Sequence, residues 1–134
     1  MLVWKIRQGL KKTVDTERIS NYILYFFKQD LEKHFKDEED LLFCKLPVND
    51  ILRIKAESEH QIIYKLIKTI EQSKTDFALL NQFADELEKH IRFEERKLFN
   101  HLQNNISEDE MEIIAKRFSA NTKEVEDGWK DIFW

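Results

Sequence analysis

Two ten-residue runs carry the groups in this chain that could do chemistry. His34-x-x-x-Glu38-Glu39-x-x-Leu42-Phe43 and His90-x-x-x-Glu94-Glu95-x-x-Leu98-Phe99 repeat one pattern. On an α-helix, side chains four residues apart stand one turn above the other on the same face. His34 then sits over Glu38 and His90 over Glu94. Each pair presents an imidazole nitrogen beside a carboxylate oxygen, a donor set that suits iron, manganese or zinc. The second glutamate of each run, Glu39 or Glu95, is turned by ~140° from its histidine at 3.6 residues per turn. Glu38 and Glu94 are therefore the expected ligands.

The elements that hold these groups follow from composition. The chain has 134 residues, enough for one domain, residues 1–134, with a buried core. Two glycines and one proline leave few helix breakers, and Leu, Ile, Lys and Glu dominate, so the expected class is all-α. A net charge of −4 without a basic face argues against nucleic acid as a partner. The single cysteine, Cys44, excludes an internal disulfide and fits a reducing compartment. No apolar run is long enough to cross a bilayer, and Met1-Leu2-Val3-Trp4-Lys5 lacks the order of a signal peptide. The expectation is a soluble cytoplasmic helical domain without a membrane partner; its oligomeric state is not set by the sequence.

Apolar spacing predicts helices over residues 2–12, 17–44, 50–72, 77–103 and 108–118. Gly9 marks a close approach within the first. Thr16 and Asn49 are expected caps for the second and third, and Ser107 to Glu110 form a capping box for the fifth. The second helix turns Ile23, Phe27, Leu31, His34, Glu38 and Leu41 inward. The third turns Leu52, Ala56, His60, Ile63, Ile67 and Ile70 inward, and the fourth Leu80, Phe83, Leu87, His90, Glu94, Leu98 and His101. The tail after residue 121, with Val125, Trp129, Ile132, Phe133 and Trp134, reads as a last amphipathic turn or two packed on the bundle.

Short connections make successive helices antiparallel neighbours. Counted from the turns, His34, His60 and His90 then agree in level to within about 3 Å at 1.5 Å per residue. Three histidines and two carboxylates converge on one core layer. A lone histidine on an apolar stripe is ordinarily a satisfied core residue. A buried unpaired carboxylate costs several kcal/mol, however, and five such groups in a duplicated pattern point to a metal. His101, about 16 Å along the axis from His90, is expected to be a helix-end histidine. Cys44 reads as structural, and Trp4, Trp129 and Trp134 as packing.

The two runs, the single His60 and the opening Trp4-Lys5-Ile6-Arg7-Gln8-Gly9 together resemble the bacterial hemerythrin-like proteins with the HHE cation-binding domain. The resemblance covers most of the chain. It implies an antiparallel up-and-down four-helix bundle holding two non-haem irons, bridged by carboxylates and an oxygen atom. It gives the ligands as His34 and Glu38 on the second helix, His60 on the third, and His90 and Glu94 on the fourth. Dioxygen, nitric oxide or peroxide is the small ligand it implies, and iron handling is a related role. Binding or sensing is expected over turnover, since no nucleophile-base arrangement is visible, and an enzymatic role such as peroxide reduction stays open. The alternative is a helical interaction module whose metal site has decayed.

Two departures bear on that reading. The family's first helix supplies a histidine ligand, whereas this chain has none before His34. Oxygen carriers also place a second histidine one turn after the first in the third helix, where this chain has Tyr64, most simply a core-edge tyrosine. The first helix is therefore expected to stop short of the His34 level, as in an amino-terminally shortened member. One wall of the site would be open, and iron partial or weakly held. Ferritin-like di-iron proteins are set aside because they use Glu-x-x-His pairs, whereas Leu31 and Leu87 precede His34 and His90 at that spacing.

Overall fold

Four of the five helices begin where an acidic or hydroxyl side chain can accept an otherwise unpaired backbone N–H. The computed structural model describes residues 2–121 and 129–134, with side chains up to residue 118 and from residue 129. Among these residues there are five helices and no strand. They are α1 (Leu2–Lys11), α2 (residues 16–45), α3 (Ile51–Gln72), α4 (residues 77–105) and α5 (Glu108–Asn121). Asp15 caps α2 by accepting from the Glu17 N–H, Asp50 caps α3 at Arg53, Asp76 caps α4 at Leu79, and Ser107 caps α5 at Glu110. The caps of α2 and α3 each lie one residue from the expected Thr16 and Asn49. In both places a neighbouring aspartate takes the position, and its full charge interacts more strongly with the helix N-terminus. The all-helical architecture is consistent with the bundle that the resemblance implies.

Two of the helices are not regular. α2 is α-helical over Thr16–Phe26 and Glu32–Asp37, with π-helical turns at Phe27–Leu31 and Glu38–Leu42 and a 3₁₀ turn at Phe43–Lys45. α4 is α-helical over Phe77–Phe93 and Phe99–Asn105, with a π turn at Glu94–Leu98. In each π turn an amide bonds the carbonyl five residues back: Glu32 to Phe27, Phe43 to Glu38, and Phe99 to Glu94. Such a turn takes in one residue more than an α turn, so the inward face moves on by one position. Phe35 is buried where His34 was expected, Leu42 where Leu41 was expected, and Leu102 where His101 was expected. His101 instead donates from Nε2 to Asp50 Oδ2 at 2.7 Å, tying α4 to the cap of α3.

The apolar core has two parts. One gathers Ile6 and Leu10 of α1 with Ile23, Phe27, Ile63, Ile67, Leu80 and Phe83. The other gathers Leu42, Phe43, Ala56, Phe93, Leu98 and Leu102 with Met111, Ile114 and Phe118 of α5. α1 joins the first part and α5 the second. Arg7 fastens α1 to α4 through Glu88 and Asp85, at 2.5 and 2.9 Å.

Residues 129–134 are not helical, so the expected amphipathic turn does not form there, and Val125 lies outside the described residues. The segment packs on the first part of the core nonetheless. Phe133 is buried, and Tyr22 lies within 5.7 Å, centroid to centroid, of Trp129, Phe133 and Trp134. Arg18 pairs with Asp131 at 2.6 Å. Gly9 makes this docking possible: a Cβ there would stand 2.7 Å from the Phe133 ring and 2.9 Å from Ile19 Cδ1.

Two outcomes follow for stability. Gly9→Ala gains helix propensity but overpacks the Phe133 contact, an effect of about 1–3 kcal/mol. Its thermal midpoint is expected to fall and the tryptophan fluorescence to shift toward that of exposed indole. At Asp50, burial raises the pKa, but the Arg53 amide and His101 outweigh it and hold the carboxyl below its ordinary value. A depressed carboxylate pKa contributes stability above the unfolded value, and that contribution is lost as pH falls through the folded value. Asp50→Ala is therefore expected to cost about 1 kcal/mol near pH 7. The gap from wild type in urea titrations is expected to narrow below the ordinary carboxylate range.

Candidate metal centre

Between the two apolar parts lies a layer of polar side chains from α2, α3 and α4. Glu38, Glu59, His60 and His90 are buried, and Glu94 is nearly so. His60 Nε2 and His90 Nε2 face each other at 3.1 Å. Glu94 Oε1 is 2.8 Å from His90 Nε2 and 3.9 Å from His60 Nε2, and Glu38 Oε1 is 3.5 Å from His60 Nε2. One ligand atom from each of Glu38, His60, His90 and Glu94 lies within 4.8 Å of all the others.

The far side of each ring fixes what faces inward. His60 Nδ1 donates to Glu39 Oε1 at 3.2 Å, and His90 Nδ1 donates to Glu59 Oε1 at 2.9 Å. A carboxylate only accepts, so in a neutral imidazole Nδ1 carries the hydrogen and Nε2 the lone pair. Four acceptors then point at one another. Glu38 Oε1 and Glu94 Oε1 are buried without a well-aligned donor among the described residues. The short approach of Glu94 to His90 is thus, for the neutral ring, an approach of two acceptors.

The cluster calls for positive charge. Without a metal, protons supply it. Burial, and then the facing Glu94 carboxylate, push Glu38 up to about 10. Burial opposes a charge on His90, but its contacts with Glu94 and Glu59 outweigh that and raise its pKa. Burial likewise raises Glu94, yet the facing His60 and His90 rings outweigh it and hold its pKa below the ordinary carboxylate range. Two imidazole nitrogens and two carboxylate oxygens also make a suitable donor set for a first-row metal ion.

Aromatic rings from the first run orient His60. Phe35 stacks on it at 4.0 Å with 13° between planes, and Phe43 lies on it at 5.5 Å. Both glutamates of the cluster open a π turn, Glu38 in Glu38–Leu42 and Glu94 in Glu94–Leu98. Such turns occur often at functional sites.

Of the five residues expected at the site, the structure brings four together. His34 stands apart. Its side chain is 43% exposed, Nε2 is 3.6 Å from Glu38 Oε1, and its ring lies 6.3 Å from that of Phe118 on α5. Next to it a cavity of about 260 Å³ is lined by His34, Glu38, Glu94, Leu42, Phe99 and the α5 residues Met111, Ile114, Ala115 and Phe118. α5 thus forms one wall of this cavity. Tyr64 packs edge-on against Phe27 and Phe35, and burial pushes its phenol up to about 12, so it keeps its proton. Sequence reasoning set Glu39 aside as turned away, and missed that its direction carries it to His60 on α3. Glu59 gave one signal, adjacency to His60, which does not show that it reaches His90.

Carboxylates behind metal-binding histidines typically change affinity 10–100-fold when lost. If the centre takes a first-row divalent ion, Glu59→Gln is expected to weaken its binding by a factor in that range while leaving the helical circular dichroism unchanged. Competition titration against a chelator measures it, and an unaltered affinity would show that Glu59 does not tune the ring.

Residues 5–102 match the family described as hemerythrin HHE cation binding domain. A curated protein named DNA nickase, from Nostoc sp. (strain PCC 7120), is 29% identical over 123 residues, covering 87% of this chain and 35% of that protein. The chain therefore spans about a third of that relative's length. No solved structure matches. With the matched region running from α1 through most of α4 and enclosing every residue of the polar layer, the chain belongs to the hemerythrin HHE cation-binding domain family.

Proposed function

We propose that this chain is a non-haem iron protein that binds or senses dioxygen, nitric oxide or peroxide. The observation that supports it is the convergence of four acceptors, Glu38 Oε1, His60 Nε2, His90 Nε2 and Glu94 Oε1, in a buried layer. Family membership favours iron among the metals that such donors suit. The resemblance implies two irons, and His34, Glu38, His60, His90 and Glu94 are the residues the chain offers toward them. Bound there, iron supplies a redox-active Lewis acid to a small ligand.

The chain's own residues do the rest. Glu39 and Glu59 hold the rings with Nε2 inward, and Phe35 and Phe43 fix the plane of His60. Leu42, Phe99, Met111, Ile114 and Phe118 give the adjoining cavity an apolar wall that suits a small, weakly polar ligand. We favour binding or sensing over turnover, with a metal-centred activity such as peroxide reduction left open. The name DNA nickase belongs to the longer relative, and a net charge of −4 gives no reason to extend it here.

We read residues 1–134 as one domain. The connections at residues 12–15, 46–50 and 73–76 are short enough to favour an antiparallel up-and-down order for α1 to α4, with α5 as a short extension. No helix among the described residues is long and apolar enough to cross a membrane. The exposed free thiol of Cys44 suits the reducing cytoplasm, where we place the protein.

Metal that binds the native state alone stabilises it by mass action, about 2.7 kcal/mol at a hundredfold excess over Kd. Adding ferrous iron under argon is expected to raise the thermal midpoint. On exposure to nitric oxide or air the loaded protein is expected to gain charge-transfer absorption. Glu38→Gln mimics the protonated acid, so the metal-free midpoint is expected to stay near wild type while the iron-dependent rise is lost. A wild-type midpoint that ignores saturating iron would favour the decayed-site reading instead.

A further inference from the structure

We propose that the centre of this chain holds one metal ion, not two, and that His34 belongs to the wall of the neighbouring cavity instead of a metal's shell. The inference rests on the metal-binding reading above and sharpens it.

The separations among donors carry the argument. A first-row ion keeps nitrogen and oxygen ligands at about 2.0–2.2 Å, so donors of one shell lie within about twice that, or 4.4 Å, of each other. The four inward atoms share a span of at most 4.8 Å, close to that size. Two ions in a paired site stand about 3.5–4 Å apart, each with its own terminal ligands. Glu38 and Glu94 could be shared, but His60 and His90 both belong to one end, since their Nε2 atoms are 3.1 Å apart.

The other end is poor in donors. Among the described residues His34 is the one nitrogen there, half-exposed, 3.6 Å from Glu38 Oε1 but not among the four mutually close atoms. Apart from the shared Glu38 and Glu94, the cavity around it presents Leu42, Phe99, Ile114 and Phe118, together with the Met111 thioether, a soft ligand unsuited to a carboxylate-rich iron site. α1 brings no donor, because residues 2–11 contain no His, Asp, Glu or Cys. The π turn at Phe27–Leu31 explains why His34 is at the edge: its extra residue turns Phe35 inward, and Phe35 stacks on His60.

Among the described residues a second ion would thus have His34 as its one terminal ligand beside the shared Glu38 and Glu94, in a hollow otherwise apolar. That hollow is space for an exogenous ligand, with His34 as a hydrogen-bonding group in its wall.

The test counts metal and reads its coupling. The full chain is loaded with excess ferrous or manganous ion under argon, desalted, and assayed for metal per chain by atomic emission. The manganous form is examined by electron paramagnetic resonance. The expected result is one ion per chain, an uncoupled manganous spectrum, and the same stoichiometry in His34→Ala and His34→Gln, with circular dichroism confirming that both fold. His90→Ala is expected to lose the ion. Two ions per chain, an exchange-coupled spectrum, or a count that falls with His34→Gln in the folded variant would overturn the single-ion proposal and leave metal binding intact. No retained metal in the wild-type chain would overturn both.

Discussion

Everything else in this chain is arranged around an electrostatic demand. Four acceptor atoms, two from imidazoles and two from carboxylates, are pressed into one buried layer with their lone pairs toward a common point. A buried acceptor left without a donor costs about 1–3 kcal/mol, so the layer is tolerable only with a cation or bound protons at its centre. The carboxylates of Glu39 and Glu59 sharpen the demand, because they occupy the Nδ1 hydrogens that could have been turned inward.

The demand also divides the core. Apolar packing cannot run through such a layer, so it forms two bodies, one beyond Phe35 and Ile63, the other beyond Phe43 and Phe93. Each body recruits its own covering element. α1 and residues 129–134 close the first, with Gly9 cut away to admit Phe133, and α5 closes the second. The covering elements supply none of the four converging ligand atoms.

What could be read from the sequence, and what could not, follows from locality. The His-x-x-x-Glu spacing is a property of one turn, and both pairs meet as i, i+4 neighbours, at 3.6 and 2.8 Å. His60 could be placed by counting from turns. The π turns were illegible because nothing in Phe27–Leu31, Glu38–Leu42 or Glu94–Leu98 announces an extra residue in a helix. Each one carried the inward face from the expected side chain to the next: His34 to Phe35, Leu41 to Leu42, His101 to Leu102. Glu59 and Glu39 were illegible as ring partners because each reaches across to a different helix. The caps of α2 and α3 slipped by a single position, within the ordinary ambiguity of adjacent polar residues, while Ser107 caps α5 as expected.

The π turns have a mechanical side. His60 is clamped between two phenyl rings and held from behind by a carboxylate, and His90 is held by Glu59 and flanked by Phe35. These are stiff jaws. Glu38 and Glu94 each open a turn with a looser hydrogen-bond ladder than the α-helix around it. They are the sliding jaws of the same vice. A centre built this way sets direction with its nitrogens and takes up differences in ionic radius with its oxygens.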